Sequence, residues 1–181
     1  MKKNLFFLLF LSLVSLLQQQ LFAQGLTNQG NLQVHNGAGL SSSLPFTNSS
    51  TATLVNNGSI YLKADVTNHQ VAMATGAGTL YIDGSAAQQL TGSATLKTYH
   101  LVTDNSSGIT LNNDLSVGGN HNFVNGLISS SVTPNYLIYE SGATNSGATD
   151  SRHVTGWVKK IGSDDFTFPV GDNSFLRTIA I

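Results

Sequence analysis

A polar turn that contains glycine, followed by a short run of alternating apolar and polar residues, recurs along most of this 181-residue chain. The clearest example is Asn56-Asn57-Gly58 followed by residues 59–66, in which Ile60 and Leu62 alternate with Tyr61. Strict alternation of this kind is typical of a half-buried β-strand. No segment after residue 24 has the apolar period of an amphipathic helix. The sequence therefore predicts an all-β fold.

The turn glycines recur at intervals that suit stacked repeat units, which are about 20–50 residues long. They are Gly30, Gly58, Gly78, Gly108 and Gly126. This spacing predicts a β-solenoid of the parallel β-helix type, in which each coil buries its inward side chains against its neighbours. A β-sandwich is the alternative, because it also joins short strands by polar turns. The solenoid is favoured, since antiparallel sandwiches usually have tighter hairpins and a more aromatic core.

The N-terminus has the layout of a secretory signal peptide. A basic start is followed by the apolar residues 5–17 and by a polar stretch that ends at Ala23. The apolar run is shorter than the roughly 20 residues of a membrane-spanning helix, so a retained anchor is the less favoured alternative. We predict a signal peptide at residues 1–23, cleavage between Ala23 and Gln24, and a secreted or cell-surface protein that meets a membrane only during export.

Composition narrows the function classes. The chain has 8 basic and 9 acidic residues, so it lacks the basic excess of a nucleic-acid-binding protein. Charged residues make up 9% of the sequence, against roughly 25% in ordinary soluble domains. With no cysteine it forms no disulfide, and burial and hydrogen bonds must stabilise the fold.

The chain divides into a repeat region at residues 24–131 and a C-terminal β segment at residues 132–181. Thr133-Pro134-Asn135 interrupts the repeating pattern, and the residues after Arg152 are richer in aromatic side chains. The sequence stops within the apolar run 176–181, which reads as an unpaired strand. We therefore expect a truncated member of a longer protein.

The C-terminal segment carries one recognisable line of residues. It comprises His153, Val154, Gly156, Val158, Lys160, Gly162, Phe166, Phe168, Pro169, Val170, Gly171, Arg177, Ile179 and Ile181. This line resembles one found after Gly-rich repeats in large exported proteins of the Bacteroidota, and residues 87–92 resemble a turn of those repeats. The resemblance implies an adhesin-like protein of the cell surface or outer membrane. Such proteins often use the type IX route and a separate sorting domain, which is not recognised here.

Metal and cofactor chemistry is not predicted. The histidines His35, His69, His100, His121 and His153 occur singly, without the short spacing of a zinc site, and are typical of a solvated polar face. Calcium is the alternative, because aspartate and carbonyl oxygens in Gly-rich turns can bind it, but the Gly-Gly-x-Gly-x-Asp repeat that signals it does not occur.

Carboxylates provide the main argument for an enzyme. Asp65, Asp83, Asp104 and Asp114 lie on or beside successive predicted coils, so stacking could align the two carboxylates of a glycosidase. No proton acceptor accompanies them, since the candidate bases Arg152 and Arg177 lie outside the coils. We predict no catalytic residues, and a fragment of a polysaccharide-active β-helix enzyme is the alternative.

Aromatic residues provide the candidate ligand contacts. Tyr61, Tyr81 and Tyr99 are predicted to face outward as a ladder along the coils, on which a surface glycan or another surface protein could bind. Trp157, Phe166 and Phe168 could instead form a stacking platform, but Phe166 and Phe168 share a strand face and are predicted to pack inward. The sequence thus predicts an exported, non-catalytic, adhesin-like repeat protein with a structural or binding role. A part of a longer chain without independent function is the third possibility.

Overall fold

The computed structural model describes residues 24–130 and 133–181. The predicted signal peptide, including Ala23, lies outside the described residues. Within them the fold is all-β, and it contains no helix long and apolar enough to cross a membrane. The prediction of a β-solenoid is confirmed, because the strands stack in parallel through about six coils.

Each complete coil runs through three faces, which we call the first, second and third face in chain order. The strands of the first three coils are β1 (Leu26–Asn28), β2 (Asn31–Val34), β3 (Gly39–Ser42), β4 (Phe46–Asn48), β5 (Thr53–Asn56), β6 (Ser59–Leu62), β7 (Val66–Asn68) and β8 (Thr79–Ile82). Those of the next three are β9 (Gln88–Gly92), β10 (Leu96–Thr98), β11 (His100–Asp104), β12 (Ile109–Leu111), β13 (Leu115–Val117), β14 (Asn120–Asn125), β15 (Ile128–Ser130), β16 (Tyr136–Tyr139) and β17 (Thr144–Ser146).

Parallel pairing joins the same face of successive coils. The first face is the sheet β1-β4-β7-β9-β12-β15, and the third face is the sheet β3-β6-β8-β11-β14-β17. The second face consists of the pair β2-β5 and the sheet β10-β13-β16, which continues into β18 (Trp157–Lys160). This parallel pairing rules out the β-sandwich, whose sheets are antiparallel.

Alternate side chains point into the coils and form apolar columns along the solenoid. On the third face Leu40 pairs with Ile60, Ile60 with Leu80 and Leu80 with Leu101, so each coil advances by about 20 residues. All but Leu40 of these side chains are buried. Full burial of one such side chain stabilises the folded state by about 1.5–3 kcal/mol.

The sequence pattern gave the correct direction for most side chains of residues 59–66 but the wrong strand boundaries. We expected one strand, whereas β6 ends at Leu62 and β7 begins at Val66 on a different face. Ile60, Leu62 and Val66 are buried as predicted. The corner keeps the inward-outward alternation, so alternation alone cannot reveal that the chain turns.

A ladder of buried asparagines holds the first three coils together at the corner after the first face. Asn28 Nδ2 donates to Asn48 Oδ1, and Asn48 Nδ2 donates to Asn68 Oδ1, each at 2.9 Å. Asn68 Nδ2 in turn donates to the carbonyl oxygens of Ala94 and Thr95 in the fourth coil. The next position of the column is Gly92, whose φ is +127° and where a Cβ would collide with the Asn68 carbonyl.

The second face is interrupted in the third coil, where residues 69–78 form no strand. Two side chains bridge part of the gap. Gln70 Oε1 accepts the Leu54 backbone N–H at 2.9 Å from the coil below, and Met73 Sδ accepts the Lys97 backbone N–H at 3.4 Å from the coil above. Side-chain acceptors thus replace backbone acceptors, which keeps these buried amide groups hydrogen-bonded.

Parallel stacking continues past residue 131, where the sequence predicts the repeat region to end. Strand β16 pairs with β13 on one side and with β18 on the other. After β18 the chain forms the short antiparallel pair β19 (Thr167–Phe168) and β20 (Ile179–Ala180), which we call the cap.

The residues of the C-terminal line form this cap. Phe166 is 5% exposed, and its ring lies 4.9 Å from Tyr139 and 5.0 Å from Phe168. The Pro169 carbonyl accepts the Val154 N–H at 2.9 Å, and the Gly171 N–H donates to the Val154 carbonyl at 3.0 Å. A β-solenoid needs such a cap because a bare last coil exposes strand edges.

Other members of the line sit at close backbone approaches or at the surface. At Gly156 a Cβ would collide with Ser130, while Val170 forms a bridge with Val154. Trp157 is exposed. Arg177 Nε donates to Asp172 at 2.9 Å, and this bond, with the N–H groups of Ser174 and Phe175, lowers the pKa of Asp172 to about 2.

Candidate binding surface on the third face

The outward side of the third face carries two parallel columns of mostly uncharged side chains. The first column is Gly39, Ser59, Thr79, His100, Asn120 and Thr144. The second column is Ser41, Tyr61, Tyr81, Val102, Asn122 and Ser146. Strands in a sheet are about 4.8 Å apart, so the positions of each column recur at that interval. All of these positions except Gly39 and Val102 carry a hydroxyl, an amide or a ring.

Two of the three predicted tyrosines come together and one does not. The rings of Tyr61 and Tyr81 stack with their centroids 4.4 Å apart and their planes 15° apart. Tyr99 does not extend this stack, because the position after Tyr81 is Val102. It lies at the corner between β10 and β11, 39% exposed, with its ring edge-on to His100. The predicted ladder of three is therefore a ladder of two.

A polar groove of about 330 Å³ lies beside the tyrosine stack, at the turns that enter the third face. Its walls come from the first three coils: Asn36, Gly37, Ala38, Asn57, Gly58, Ser59, Ala77, Gly78 and Thr79. Ser59 and Thr79 belong both to the groove and to the first outward column. No charged side chain contributes to the wall of this groove.

Charged groups near the stack are paired across coils. Lys63 Nζ donates to Asp83 at 2.8 Å, and Asn125 Nδ2 donates to Asp104 at 2.6 Å. Because Ile82 pairs with Thr103, the two aspartates follow one another in adjacent coils. This is the one pair among the four predicted carboxylates that the register brings side by side.

The other two predicted carboxylates bind backbone N–H groups of the next coil. Asp65 accepts the N–H of Gln89 at 2.8 Å, and Asp114 accepts that of Tyr136 at 2.7 Å. The candidate bases are also engaged: Arg152 donates to the Val124 carbonyl at 2.9 Å, and Arg177 is paired with Asp172. In the part of the chain that the structure describes, no three His, Asp or Glu side chains converge as a metal-binding group would require.

The first face adds a hydroxyl column of its own. Thr27, Thr47, Thr67 and Thr91 occupy one column, and the last two hydroxyl oxygens are 2.8 Å apart. These threonines follow from the same residue pattern as the asparagine ladder, since each precedes an inward asparagine or glycine. The uncharged, hydroxyl-bearing surface is thus a property of two faces of the solenoid.

The expectation that all five histidines are solvated is wrong for two of them, because His121 and His153 are 0% exposed. His121 takes the inward position after Leu101 in a column that is apolar up to that point and continues with Asn145. Its Nε2 lies 3.0 Å from Thr103 Oγ1, and its Nδ1 lies 2.8 Å from Tyr139 Oη. Two hydroxyl groups can each donate or accept, so they satisfy a neutral imidazole in either tautomer.

Burial determines the protonation states of His121 and Tyr139 in this hydrogen-bonded group. It lowers the pKa of His121 from 6.5 to about 3 and raises the pKa of Tyr139 well above 10. Both shifts have the same cause, since desolvation disfavours the charged form of each group. Both side chains are therefore neutral at physiological pH.

The His121 pKa makes the folded state less stable in mild acid. Below pH 6.5 the unfolded imidazole binds a proton that the folded ring does not bind until about pH 3. The contribution of His121 to the free energy of unfolding should therefore fall by about 2 kcal/mol between pH 7 and pH 5. It should continue to fall at lower pH and become constant below about pH 3. Urea unfolding at several pH values measures this loss.

The matched control is His121→Gln, whose amide can still bond Thr103 and Tyr139. The other four histidines are present in both proteins, so the difference between the two pH profiles isolates His121. The variant should start less stable at pH 7 and have a flatter profile between pH 7 and 5. Parallel profiles for the two proteins would contradict the buried neutral imidazole.

No protein-family model, curated protein or solved structure matches this chain. The resemblance of its C-terminal line to exported Bacteroidota proteins therefore stays a prediction. What the geometry establishes is a β-solenoid whose third face carries two mostly uncharged outward columns, a two-tyrosine stack and an adjacent polar groove.

Proposed function

We propose that this chain is an exported, non-catalytic, adhesin-like protein that binds other molecules through the outer wall of its solenoid. The observation that carries the proposal is the pair of outward columns on the third face, where successive positions are one coil apart and most of them carry a hydroxyl, amide or tyrosine group. Repetition at a fixed spacing allows many weak contacts to act together on one extended partner.

The surface chemistry favours neutral polar partners over charged ones. Salt screens interactions between exposed charges over about 10 Å at 0.1 M ionic strength. A wall of hydroxyl and amide groups has few such interactions to lose. We expect the apparent Kd for intact cells or immobilised surface glycans to change less than about twofold between 50 mM and 500 mM NaCl. A loss of tenfold or more would point to an ionic mode of binding instead.

Export is the second part of the proposal. The basic start, the apolar run and Ala23 support secretion or display at the cell surface, and the resemblance of the C-terminal line supports the same location. Expression in a Gram-negative host, followed by cell fractionation and N-terminal sequencing, tests it. The product should leave the cytoplasm and begin at Gln24. A cytoplasmic product that begins at Met1 would be inconsistent with export.

A fragment of a polysaccharide-active enzyme is the second candidate, and the adjacent Asp83 and Asp104 favour it. Retaining glycosidases hold two carboxyl groups about 5 Å apart, which is close to one coil spacing. A reducing-sugar assay across common polysaccharides separates the two proposals. Turnover that disappears in both Asp83→Asn and Asp104→Asn supports the enzyme, whereas saturable binding without turnover supports the adhesin.

A further inference from the structure

The Tyr61–Tyr81 stack is closed at one end and open at the other. On the Tyr81 side the next position of the column is filled by Val102. On the Tyr61 side the neighbouring strand β3 offers only Ser41 and, one outward position earlier, Gly39. Both residues are exposed and small. The outer face of the Tyr61 ring therefore looks onto a ledge that lacks a bulky side chain.

The position of Gly39 defines this ledge. A Cβ built on Gly39 would lie 4.0 Å from Tyr61 Cε2 and 3.9 Å from the Ser59 carbonyl oxygen, both ordinary van der Waals distances. Gly39 is not one of the glycines with positive φ, so its backbone does not require glycine. Its effect is to leave room for one further ring against Tyr61.

The polar groove borders this ledge. The groove includes Ala38, which directly precedes Gly39, and Ser59, the partner of Gly39 in the next coil. Asn57 Oδ1 accepts the Ala77 N–H at 3.0 Å, which orients its amide NH₂ group away from that bond. The Asn36 amide forms no hydrogen bond to another described residue and is exposed. Amide and hydroxyl groups thus stand next to an uncovered aromatic face.

The charge distribution selects the ligand class. The groove wall carries no charged side chain, and Lys63 and Asp83, which follow the last residues of β6 and β8, form an ion pair at 2.8 Å. An anionic polymer that binds in the groove would lose hydration water from its charged groups. No positively charged side chain of the groove wall compensates for that loss, and burial of an unpaired charge is costly. A sugar ring has an apolar face that suits an aromatic ring and hydroxyl groups that suit amides and hydroxyls.

We propose that this ledge and groove form a binding subsite for a neutral glycan, with one sugar ring stacked on Tyr61 above Gly39. The hydroxyl groups of that sugar and its neighbour hydrogen-bond to Asn36, Asn57 and Ser59. This inference rests on the proposed function and deepens it, because it assigns the binding wall a location and a ligand class.

The test uses four neutral hexasaccharides as probes: cellohexaose, maltohexaose, xylohexaose and mannohexaose, with tri-galacturonic acid as the anionic comparison. Titration of the ¹⁵N-labelled protein is followed through the amide signals of Gly39, Gly58 and Gly78. At least one neutral probe should shift these three signals in a saturable manner. The anionic probe should shift them with an affinity at least about tenfold weaker.

Two variants challenge the subsite in opposite ways. Gly39→Tyr fills the ledge with an extra ring, and Tyr61→Ser removes the stacking face. Each should weaken binding at least about tenfold. Asn31→Ala alters an exposed residue of the second face, outside the subsite and both outward columns, and should bind within about twofold of the original protein. A thermal unfolding curve for each variant verifies that it is folded.

Three results would overturn the subsite: no neutral probe shifts the three glycine signals, Gly39→Tyr and Tyr61→Ser both bind normally, or tri-galacturonic acid binds as tightly as the neutral probes. Cell binding by Gly39→Tyr distinguishes this failure from failure of the proposed function. Undiminished binding to intact cells would refute the subsite and keep the adhesin. An original protein that neither leaves the cytoplasm nor binds cells would refute the adhesin itself.

Discussion

Asn48→Ala should lower the free energy of unfolding by about 4 kcal/mol. Asn48 is 0% exposed, and its side chain accepts from Asn28 and donates to both Asn68 and Gln70. Alanine removes these three buried hydrogen bonds, although Asn28, Asn68 and Gln70 each keep at least one other partner. Each lost bond costs about 1–3 kcal/mol when water cannot replace it. Urea unfolding followed by far-ultraviolet circular dichroism measures the change over all coils.

Asn31→Ala is the control for this experiment. Asn31 is the first residue of β2, on the second face. It is exposed, and its side chain only accepts a hydrogen bond from Thr53 Oγ1. Its replacement should change the stability by less than about 0.5 kcal/mol. Equal effects of the two substitutions would mean that the buried ladder does not hold the coils together.

Phe166→Ala should cost about 3 kcal/mol and cause the protein to self-associate. The Phe166 ring covers Tyr139 in the last complete coil and packs edge-to-face on Phe168. Without it the cap loses its main apolar contact, and the apolar interior of the last coil becomes accessible for association with another molecule. Urea unfolding gives the stability, and light scattering coupled to size-exclusion chromatography gives the association state.

Phe175→Ala provides the matched comparison in the same segment. Phe175 is 54% exposed, and its ring contacts the exposed Arg177 at 5.8 Å. Its loss should change stability by less than about 1 kcal/mol and leave the protein in its original association state. If neither phenylalanine matters, or if both matter equally, the C-terminal line is not a cap.

The sequence predicted the class of fold because inward and outward side chains alternate along each face. The turn glycines do not reveal the coil period, because only some of them occupy equivalent positions in successive coils. Gly58 and Gly78 directly precede paired strands, whereas Gly30 lies at a different corner. A better marker was present: Leu26-Thr27-Asn28, Phe46-Thr47-Asn48 and Val66-Thr67-Asn68 repeat every 20 residues.

The asparagines of that repeat form the buried ladder, which the sequence analysis did not predict. Asparagine in a turn-rich chain is usually read as a turn former, and here it occupies an inward position at the end of a strand. The buried position of His121 was missed for a related reason. Its partners Thr103 and Tyr139 are 18 residues away in each direction, so only the coil register reveals that a polar chain crosses the core.

The candidate binding surface was only partly predictable. Alternation correctly placed Tyr61 and Tyr81 outward, and their equivalent positions in successive coils made a stack foreseeable. Tyr99 was misassigned because the corner between β10 and β11 consists of a single residue, which shifts it out of the column. The role of Gly39 and of the groove at Asn36 and Asn57 depends on which turns stack, and a degenerate turn pattern does not specify that.

The most direct test of the solenoid is a pair of distances along one outward column. The chain has no cysteine, so spin labels attached to Ser41→Cys with Asn122→Cys, and to Ser41→Cys with Ser146→Cys, report single defined pairs. These positions are four and five coil steps apart in the column. Pulsed electron paramagnetic resonance should give backbone separations of roughly 19 Å and 24 Å, growing by one strand spacing per coil. A second distance equal to or shorter than the first would contradict parallel stacking in coils of about 20 residues.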